Sequence, residues 1–200
     1  MQELVVNKKL YHFDSFDNEE MWHEGNEFKI DKNYTSFSGF FFKDEPIYYD
    51  KEKKIKLFDA IDYAKRGLLT KEEYIDLSNK LKVYLYNEPI SYIEYILESI
   101  RRLEYPTYVS RAHCLYLTDY AGIDFWKERL RAKNLYEVLV SGKLFQSYNV
   151  LLPDYRNSVE NREYQARCYW RGDLGVLPFE HKIDDKEYLF QGRVKVLRKL

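Results

Sequence analysis

Along the middle of the chain, apolar residues recur every three or four positions, which is the spacing of a helix with one buried face. Residues 55–69 carry such a stripe, and Gly67 suits the end of the helix. A second stripe runs through residues 93–103, and Pro106 is expected to end it. The pattern therefore predicts that residues 55–105 are mainly helical.

Another helix is expected between these two stripes. Thr70 followed by Glu73 is the sequence pattern of a capping box, so this helix should begin at Lys71. Pro89 lies within the continuing helical pattern. Because proline lacks an N–H donor and its ring clashes with the preceding turn, we expect Pro89 to break or end the helix.

On either side of this region the apolar period changes to two, which is typical of strands. One strand is predicted at residues 4–13, with a turn or bulge at Asn7-Lys8, and another at residues 112–119. Farther along the chain we expect a helix at 123–132, two strands joined by a Ser141-Gly142 turn within 136–146, a helix at 162–170, and one or two strands at 187–200 that bend at Gly192.

The remaining N-terminal stretches carry weaker patterns. A short helix is predicted to begin at Asp14 or Ser15 and to stop at Gly25, and residues 34–42 are aromatic and prone to β structure. Neither a repeat nor a linker interrupts the chain. Residues 1–200 are therefore predicted to form one α+β domain, with residues 55–105 as a helical insert.

The charge, the apolar stretches and the cysteines of the chain indicate which partners and which cellular location to expect. The 32 basic and 33 acidic residues nearly cancel, which disfavours a nucleic-acid or membrane partner. There is no apolar stretch of signal-peptide type or of the roughly 20 residues that a membrane span needs, so a cytoplasmic protein is expected. Cys114 and Cys168 lie far apart among apolar neighbours, which predicts buried thiols and not a disulfide framework.

Several common site motifs are missing from the sequence. It has no glycine-rich phosphate loop and no zinc-type spacing of Cys and His. A nucleophilic thiol needs a base and an electropositive setting, so a buried structural Cys114 is preferred over a catalytic one. Glu98 and Arg101 have the spacing of a surface ion pair. Alternatively, this pair lies at the edge of its helix and supports the loop that holds Arg111.

A set of short motifs occurs in a recognisable order. They are Tyr11-His12, then Glu98 with Arg101, then Pro106, Ser110, Arg111 and Cys114, and finally Ala166, Tyr169, Trp170, Gly172 and Asp173. This order resembles an uncharacterised family of bacterial and phage-associated proteins, and the resemblance covers most of the chain.

The chain also resembles the ADP-ribosyltransferase superfamily, through a first-strand His, a later strand ending in Tyr-x-Thr, a helix after it and a late acid. Members with a His-Tyr-acid triad hold NAD in a cleft of a split β-sheet. The resemblance implies that His12 hydrogen-bonds a ribose of NAD, that Tyr116 stacks on nicotinamide, and that Asp173 orients the nicotinamide ribose and the acceptor. Glu160 and Glu163 are the alternatives for the acid.

Arg111 adds a planar guanidinium that is suited to the diphosphate of NAD. Cleavage of the nicotinamide bond builds positive charge on the ribose, which a fixed carboxylate stabilises without a metal. The resemblance thus predicts an NAD-using ADP-ribosyl transferase or NAD glycohydrolase, with NAD as substrate, a protein as acceptor, and a phage- or defence-related role.

Each candidate residue also has an ordinary structural interpretation. His12 would be a half-buried strand histidine, Tyr116 a core aromatic, Asp173 a turn residue and Arg111 a structural anchor. The chain would then be a non-catalytic binding or interaction protein that keeps the fold without the chemistry. The two hypotheses differ in geometry, because catalysis requires His12, Tyr116 and an acid to face one cleft.

Overall fold

The computed structural model describes residues 2–14, 20–39, 47–50, 53–177 and 184–200. Within them the chain is a mixed α+β structure, as predicted. In chain order its elements are β1 (Gln2–Asp14), β2 (Glu27–Ile30), β3 (Ile47–Asp50), β4 (Lys53–Lys56), α1 (Leu57–Lys65), α2 (Lys71–Glu104), β5 (Leu115–Leu117), α3 (Ile123–Leu130), β6 (Asn134–Tyr148), α4 (Val159–Arg171) and β7 (Lys186–Lys199).

Five strands form one antiparallel sheet in the order β1-β6-β7-β2, and β5 pairs with β7 on the same edge as β2. Tyr11 of β1 and Thr118, just beyond β5, exchange both backbone hydrogen bonds at 2.9 Å. The sheet therefore curls until β5 contacts both β7 and β1. Strands β3 and β4 pair separately as a two-stranded ribbon.

The sheet buries side chains on both faces, because successive residues of a strand point to opposite sides. The first face carries a largely aliphatic cluster that Trp22 covers: Leu10, Leu115, Leu117, Val138, Val140, Phe190, Val194 and Val196. The second face packs against α2 and α4 through Phe145, Leu189, Leu97, Ile100, Tyr169 and Trp170. These two faces separate the candidate site residues.

Helix α2 continues through Pro89, so the prediction that Pro89 would break or end it is wrong. Its N-terminal part packs on α1 through Leu77, and its C-terminal part lies in the second-face core through Leu97. Packing at both ends thus outweighs the single hydrogen bond that proline removes.

The predicted helix start at Lys71 and the predicted helix stop before Pro106 are confirmed, although one helix joins them. The Thr70 hydroxyl accepts from Glu73 N, and the Glu73 carboxylate accepts from Thr70 N at 2.7 Å, which is the expected capping box. The helix ends at Glu104, just before Pro106. Helix α1 is shorter than predicted, because residues 53–56 pair as strand β4.

The predicted turn at Ser141-Gly142 is wrong, because β6 runs unbroken from Asn134 to Tyr148. Gly142 lies opposite Gly192 in the β6-β7 register, and β7 is likewise one strand. A Cβ atom on either glycine would overlap a backbone carbonyl of the facing strand. The glycines therefore permit a close approach of two strands and do not make a turn.

The predicted strand at 112–119 begins too early. Arg111–His113 form a short 3-10 turn, and the strand covers only Leu115–Leu117. The Ser110 hydroxyl accepts from Ala112 N at 3.2 Å and holds the turn out of the strand.

The bulge in β1 is confirmed between Val5 and Lys8, and α3 and α4 lie where helices were expected.

Two weak N-terminal predictions fall partly on residues that the structure does not describe. For the short helix at 14–25, residues 15–19 lie outside the described part, and residues 20–25 form turns and bends. For the β-prone stretch, residues 40–42 lie outside it, and residues 34–39 have no strand. The interpretation of residues 55–105 as an insert stays a prediction. None of the helices in the described ranges is long and apolar enough to cross a membrane.

Candidate functional site

Arg111 begins the short turn between α2 and β5, and its side chain is 5% exposed beneath the second face of the sheet. Its Nε and Nη2 atoms donate to the Glu94 carboxylate at 2.8 and 2.9 Å. Its Nη1 atom donates to Glu187 and to the Tyr169 hydroxyl, each at 2.5 Å. We call these four residues the Arg111 junction.

The Arg111 junction joins three elements, since Glu94 lies on α2, Tyr169 on α4 and Glu187 on β7. The Tyr169 hydroxyl also donates to Glu187. Burial opposes the charge of Arg111, but the carboxylates of Glu187 and Glu94 outweigh it and hold the Arg111 pKa well above its usual range. The guanidinium is thus permanently charged and held by groups of the protein itself.

Glu98 is 2% exposed, so the expectation of a surface ion pair with Arg101 is wrong. Its carboxylate accepts from Arg101 Nε at 2.9 Å, from the Ser110 hydroxyl at 3.0 Å and from Arg111 N at 2.9 Å. The alternative interpretation is the correct one, because this pair supports the loop that carries Arg111.

Tyr116 and Cys114 complete the surroundings of the junction. The Arg111 guanidinium lies 5.3 Å from the centre of the Tyr116 ring, and the Tyr116 hydroxyl is 2.6 Å from the Ser38 hydroxyl. Both cysteines are free and buried, as predicted. Burial raises the Cys114 pKa well above its usual value despite Arg111 nearby, so this thiol is protonated and unsuited to nucleophilic attack.

The motif residues at the end of α4 and just after it also make contacts within the protein. Trp170 donates from Nε1 to Leu97 O at 2.8 Å and so ties α4 to α2. Gly172 ends α4 in the left-handed conformation that glycine tolerates best. The Asp173 carboxylate accepts from Gly175 N at 3.1 Å and caps the short turn that follows. Most motif residues between positions 98 and 173 therefore build one interior region around the junction.

His12 lies on the first face of the sheet. Its Nδ1 atom is 2.9 Å from the backbone oxygen of Tyr116, and its ring stacks on Trp22 with 4.3 Å between ring centres. Trp22 also stacks on Tyr136 at 5.2 Å. We call His12, Trp22 and Tyr136 the His12 cluster.

Burial lowers the His12 pKa to about 4, although the hydrogen bond to Tyr116 and the nearby Asp14 carboxylate favour the protonated form. The imidazole is therefore neutral near pH 7. Because a carbonyl oxygen only accepts, Nδ1 must carry the proton, and Nε2 is left as an acceptor. In this tautomer Nε2 has the lone pair needed to accept a hydrogen bond from a hydroxyl group.

The structure does not bring the predicted triad to one cleft. The Tyr116 backbone contacts His12, but the Tyr116 side chain points to the second face, where its cross-strand partner Leu189 also packs. Asp173 caps a turn at the end of α4. Of the alternative acids, Glu160 is exposed at the start of α4 and Glu163 pairs with Arg167 at 3.5 Å.

The sequence interpretation missed Glu94, Glu187 and Trp22. One signal for Glu94 was present, because it lies within the apolar stripe of α2, one turn before Glu98. A carboxylate on the buried face of a helix needs a charged partner, and Arg111 is that partner. Among the residues that the structure describes, no group of His, Cys, Asp and Glu is arranged to hold a metal ion.

Comparison with known proteins identifies the family of the chain. A search of curated proteins finds no match. A family model described as "Protein of unknown function (DUF2441)" matches residues 10–200, which include both the His12 cluster and the Arg111 junction. The chain therefore belongs to the DUF2441 family.

Proposed function

We propose that this protein is a binding or interaction protein that keeps an ADP-ribosyltransferase-like fold without NAD chemistry at His12, Tyr116 and Asp173. The observation that carries the proposal is the Arg111 junction. The residue best suited to a diphosphate is instead buried between Glu94 and Glu187, which lie on different elements of the fold.

The contacts that Arg111 makes within the protein argue against its binding a ligand. All three guanidinium nitrogens already donate to Glu94, Glu187 or Tyr169. A diphosphate would have to displace two buried carboxylates and would leave them without their cation. Leaving one partner of a buried pair uncompensated typically costs about 3–5 kcal/mol. This loss would weaken the binding of any ligand that used Arg111.

The other predicted groups support the same proposal. Tyr116 has Arg111 over its ring and Ser38 on its hydroxyl, and Asp173 accepts from its own turn. NAD would therefore not meet these groups and His12 together, since they face different sides of the sheet. Among the predicted groups that the structure describes, His12 is therefore the one left to contact NAD.

A second candidate function, an NAD-using transferase or glycohydrolase, is favoured by the state of His12. Its imidazole is neutral, and its proton is committed to the Tyr116 carbonyl, so Nε2 can accept from a ribose hydroxyl. The backbone exchange between Tyr11 and Thr118 also brings the strand of His12 beside that of Tyr116. NAD as substrate, a protein acceptor and a phage- or defence-related role belong to this candidate.

One titration separates the two functions. The wild-type protein and the variants His12→Asn and Asp173→Ala are heated with millimolar NAD, and nicotinamide release is measured in parallel. An NAD-binding protein would gain about 2.7 kcal/mol of stability at a hundredfold excess over the dissociation constant.

We expect neither release nor a shift in melting temperature in any of the three proteins. Release by the wild type that is lost in His12→Asn would overturn the proposal in favour of the enzyme. Release that persists in Asp173→Ala would place the acid elsewhere, with Glu160 and Glu163 tested next. A shift without release would identify NAD as the ligand of a binding protein.

A further inference from the structure

Residues 34–39 cross over the turn that carries Arg111, and we call this segment the strap. Ser36 N donates to Ala112 O at 3.1 Å, and the Ser36 hydroxyl donates to Arg111 O. His113 Nδ1 lies 2.8 Å from Tyr34 O at the start of the strap. The strap is therefore held to the turn mainly by polar contacts.

The strap lies close to the turn because its inward residues are small. Ser36 and Ser38 are 3% and 0% exposed, whereas Phe37 between them is 61% exposed. A Cβ atom on Gly39 would lie 2.5 Å from Ala112 O, so the last residue of the strap has no room for a side chain. These small inward residues allow the strap to lie close to the backbone beneath it.

The strap closes over one end of Tyr116. The Ser38 hydroxyl is 2.6 Å from the Tyr116 hydroxyl, which in turn lies 3.4 Å from Arg111 O. The Arg111 guanidinium lies over the same ring. The strap thus separates this polar interior from the surroundings of the turn.

Tyr34, at the start of the strap, packs against the first-face core. Lifting residues 35–39 costs little apolar burial. Their inward groups at positions 36, 38 and 39 are two hydroxyls and a glycine, whose hydrogen bonds water can replace. The strands behind it are held by long backbone ladders and buried aliphatic side chains such as Val138 and Val140. Segments that bury few apolar groups are the ones that open locally, without unfolding of the rest.

We propose that residues 35–39 of the strap are a gate, anchored at Tyr34, that opens independently of the sheet and exposes the Tyr116 hydroxyl and the backbone of Arg111. The inference goes beyond the proposed function, because it concerns access to this interior and does not depend on which ligand enters.

Hydrogen exchange of the full chain tests the gate. In the wild type, the amides of Ser36, Gly39 and His113 should exchange at least about tenfold faster than those of Val138 and Val140. Equal protection at the two sets would mean that the strap opens only with global unfolding, and the gate would be refuted.

A double variant sharpens the result. Ser36→Ala with Ser38→Ala removes the hydroxyl contacts to Arg111 O and Tyr116, and should speed exchange in residues 34–39 and 111–117 by a further factor of about ten. Ser147→Ala is the matched control, because it loses a buried hydroxyl bond to Tyr169 O, at 2.7 Å, away from the strap. The proposal fails if the control opens residues 34–39 as much as the double variant does.

Discussion

The Arg111 junction and the His12 cluster lie on opposite faces of one sheet, and each buries an ionisable side chain in a different charge state. At the junction, a charged side chain is buried and every nitrogen of its guanidinium has a partner from the protein. In the His12 cluster, the ionisable ring is covered by Trp22 and loses its charge. Arg111 stays a cation because it is paired directly with the carboxylates of Glu187 and Glu94, which outweigh its burial. His12 is kept neutral because burial outweighs the effect of the Asp14 carboxylate.

The comparison also teaches which residue is available to a ligand. Two roles were expected for Arg111, a contact with the diphosphate of NAD or a structural anchor, and in the structure it joins α2, α4 and β7 from within. His12 keeps an acceptor atom and part of its surface. The junction is thus an architectural feature, and the His12 cluster is the better place to look for binding.

The largest expected effect is that of Arg111→Ala. The substitution leaves Glu94 and Glu187 buried without their cation, so the free energy of unfolding should fall by about 3–5 kcal/mol in urea denaturation. Arg156→Ala is the control, because this arginine pairs with Asp154 on the surface, and its loss should leave the midpoint unchanged. A small change in the free energy of unfolding for Arg111→Ala would mean that the junction does not depend on the charge of Arg111.

The next effect concerns the pH dependence of stability through His12. Unfolded histidine takes up a proton near pH 6.5, but the folded protein takes it up only near pH 4, so acid favours unfolding between these values. The contribution is present in full above pH 6.5 and is lost as the pH falls to 4, and it amounts to about 3 kcal/mol.

His12→Asn tests this assignment, because it keeps a donor for Tyr116 O but does not titrate. Urea midpoints measured across this pH range should vary less in the variant than in the wild type. His23→Asn, at an exposed histidine, should keep the wild-type dependence. An unchanged pH dependence in His12→Asn would mean that His12 is not buried as a neutral group.

A smaller effect is expected at the edge of the junction. Glu98→Gln keeps the shape of the side chain but removes the carboxylate charge. That carboxylate accepts hydrogen bonds from Arg101 Nε, the Ser110 hydroxyl and Arg111 N, so the free energy of unfolding should fall by about 2 kcal/mol. Glu163→Gln is the matched surface change and should have little effect in the same thermal or urea denaturation. Equal effects of the two variants would restore the surface-pair interpretation of Glu98.

The smallest effect is that of Tyr116→Phe. It removes the hydroxyl contact to Ser38 and the long one to Arg111 O but keeps the ring beside the Arg111 guanidinium, so the loss should be about 1 kcal/mol in urea denaturation. Tyr155→Phe, at a tyrosine that is 58% exposed, is the control. A loss as large as that of Arg111→Ala would mean that the Tyr116 hydroxyl belongs to the junction.

Local elements could be predicted from the sequence because their causes lie a few residues apart. The capping box of Thr70 and Glu73 and the bulge near Asn7 are examples. Where tertiary contacts outweigh a local rule, prediction failed. Pro89 stays within a helix that is packed at both ends, and Gly142 pairs with Gly192 and makes no turn.

The candidate site was harder to predict because its contacts join distant parts of the chain. Arg111 meets Glu94, Tyr169 and Glu187, which lie 17, 58 and 76 residues away. The sequence predicted strands at His12 and at Tyr116, and the Tyr11-Thr118 exchange shows that these strands are neighbours. The opposite orientation of their side chains depends on register, which a one-residue change would invert.

The most direct test of the architectural role of Arg111 is the NMR signal of its Nε–H group during an NAD titration. Since this proton is donated to Glu94 in the interior, it should give a sharp, slowly exchanging resonance at neutral pH. The account predicts that its position and exchange rate stay unchanged as NAD is raised to millimolar concentration. A saturable shift of this resonance, or its loss on addition of NAD, would show that Arg111 serves a ligand and would contradict the account.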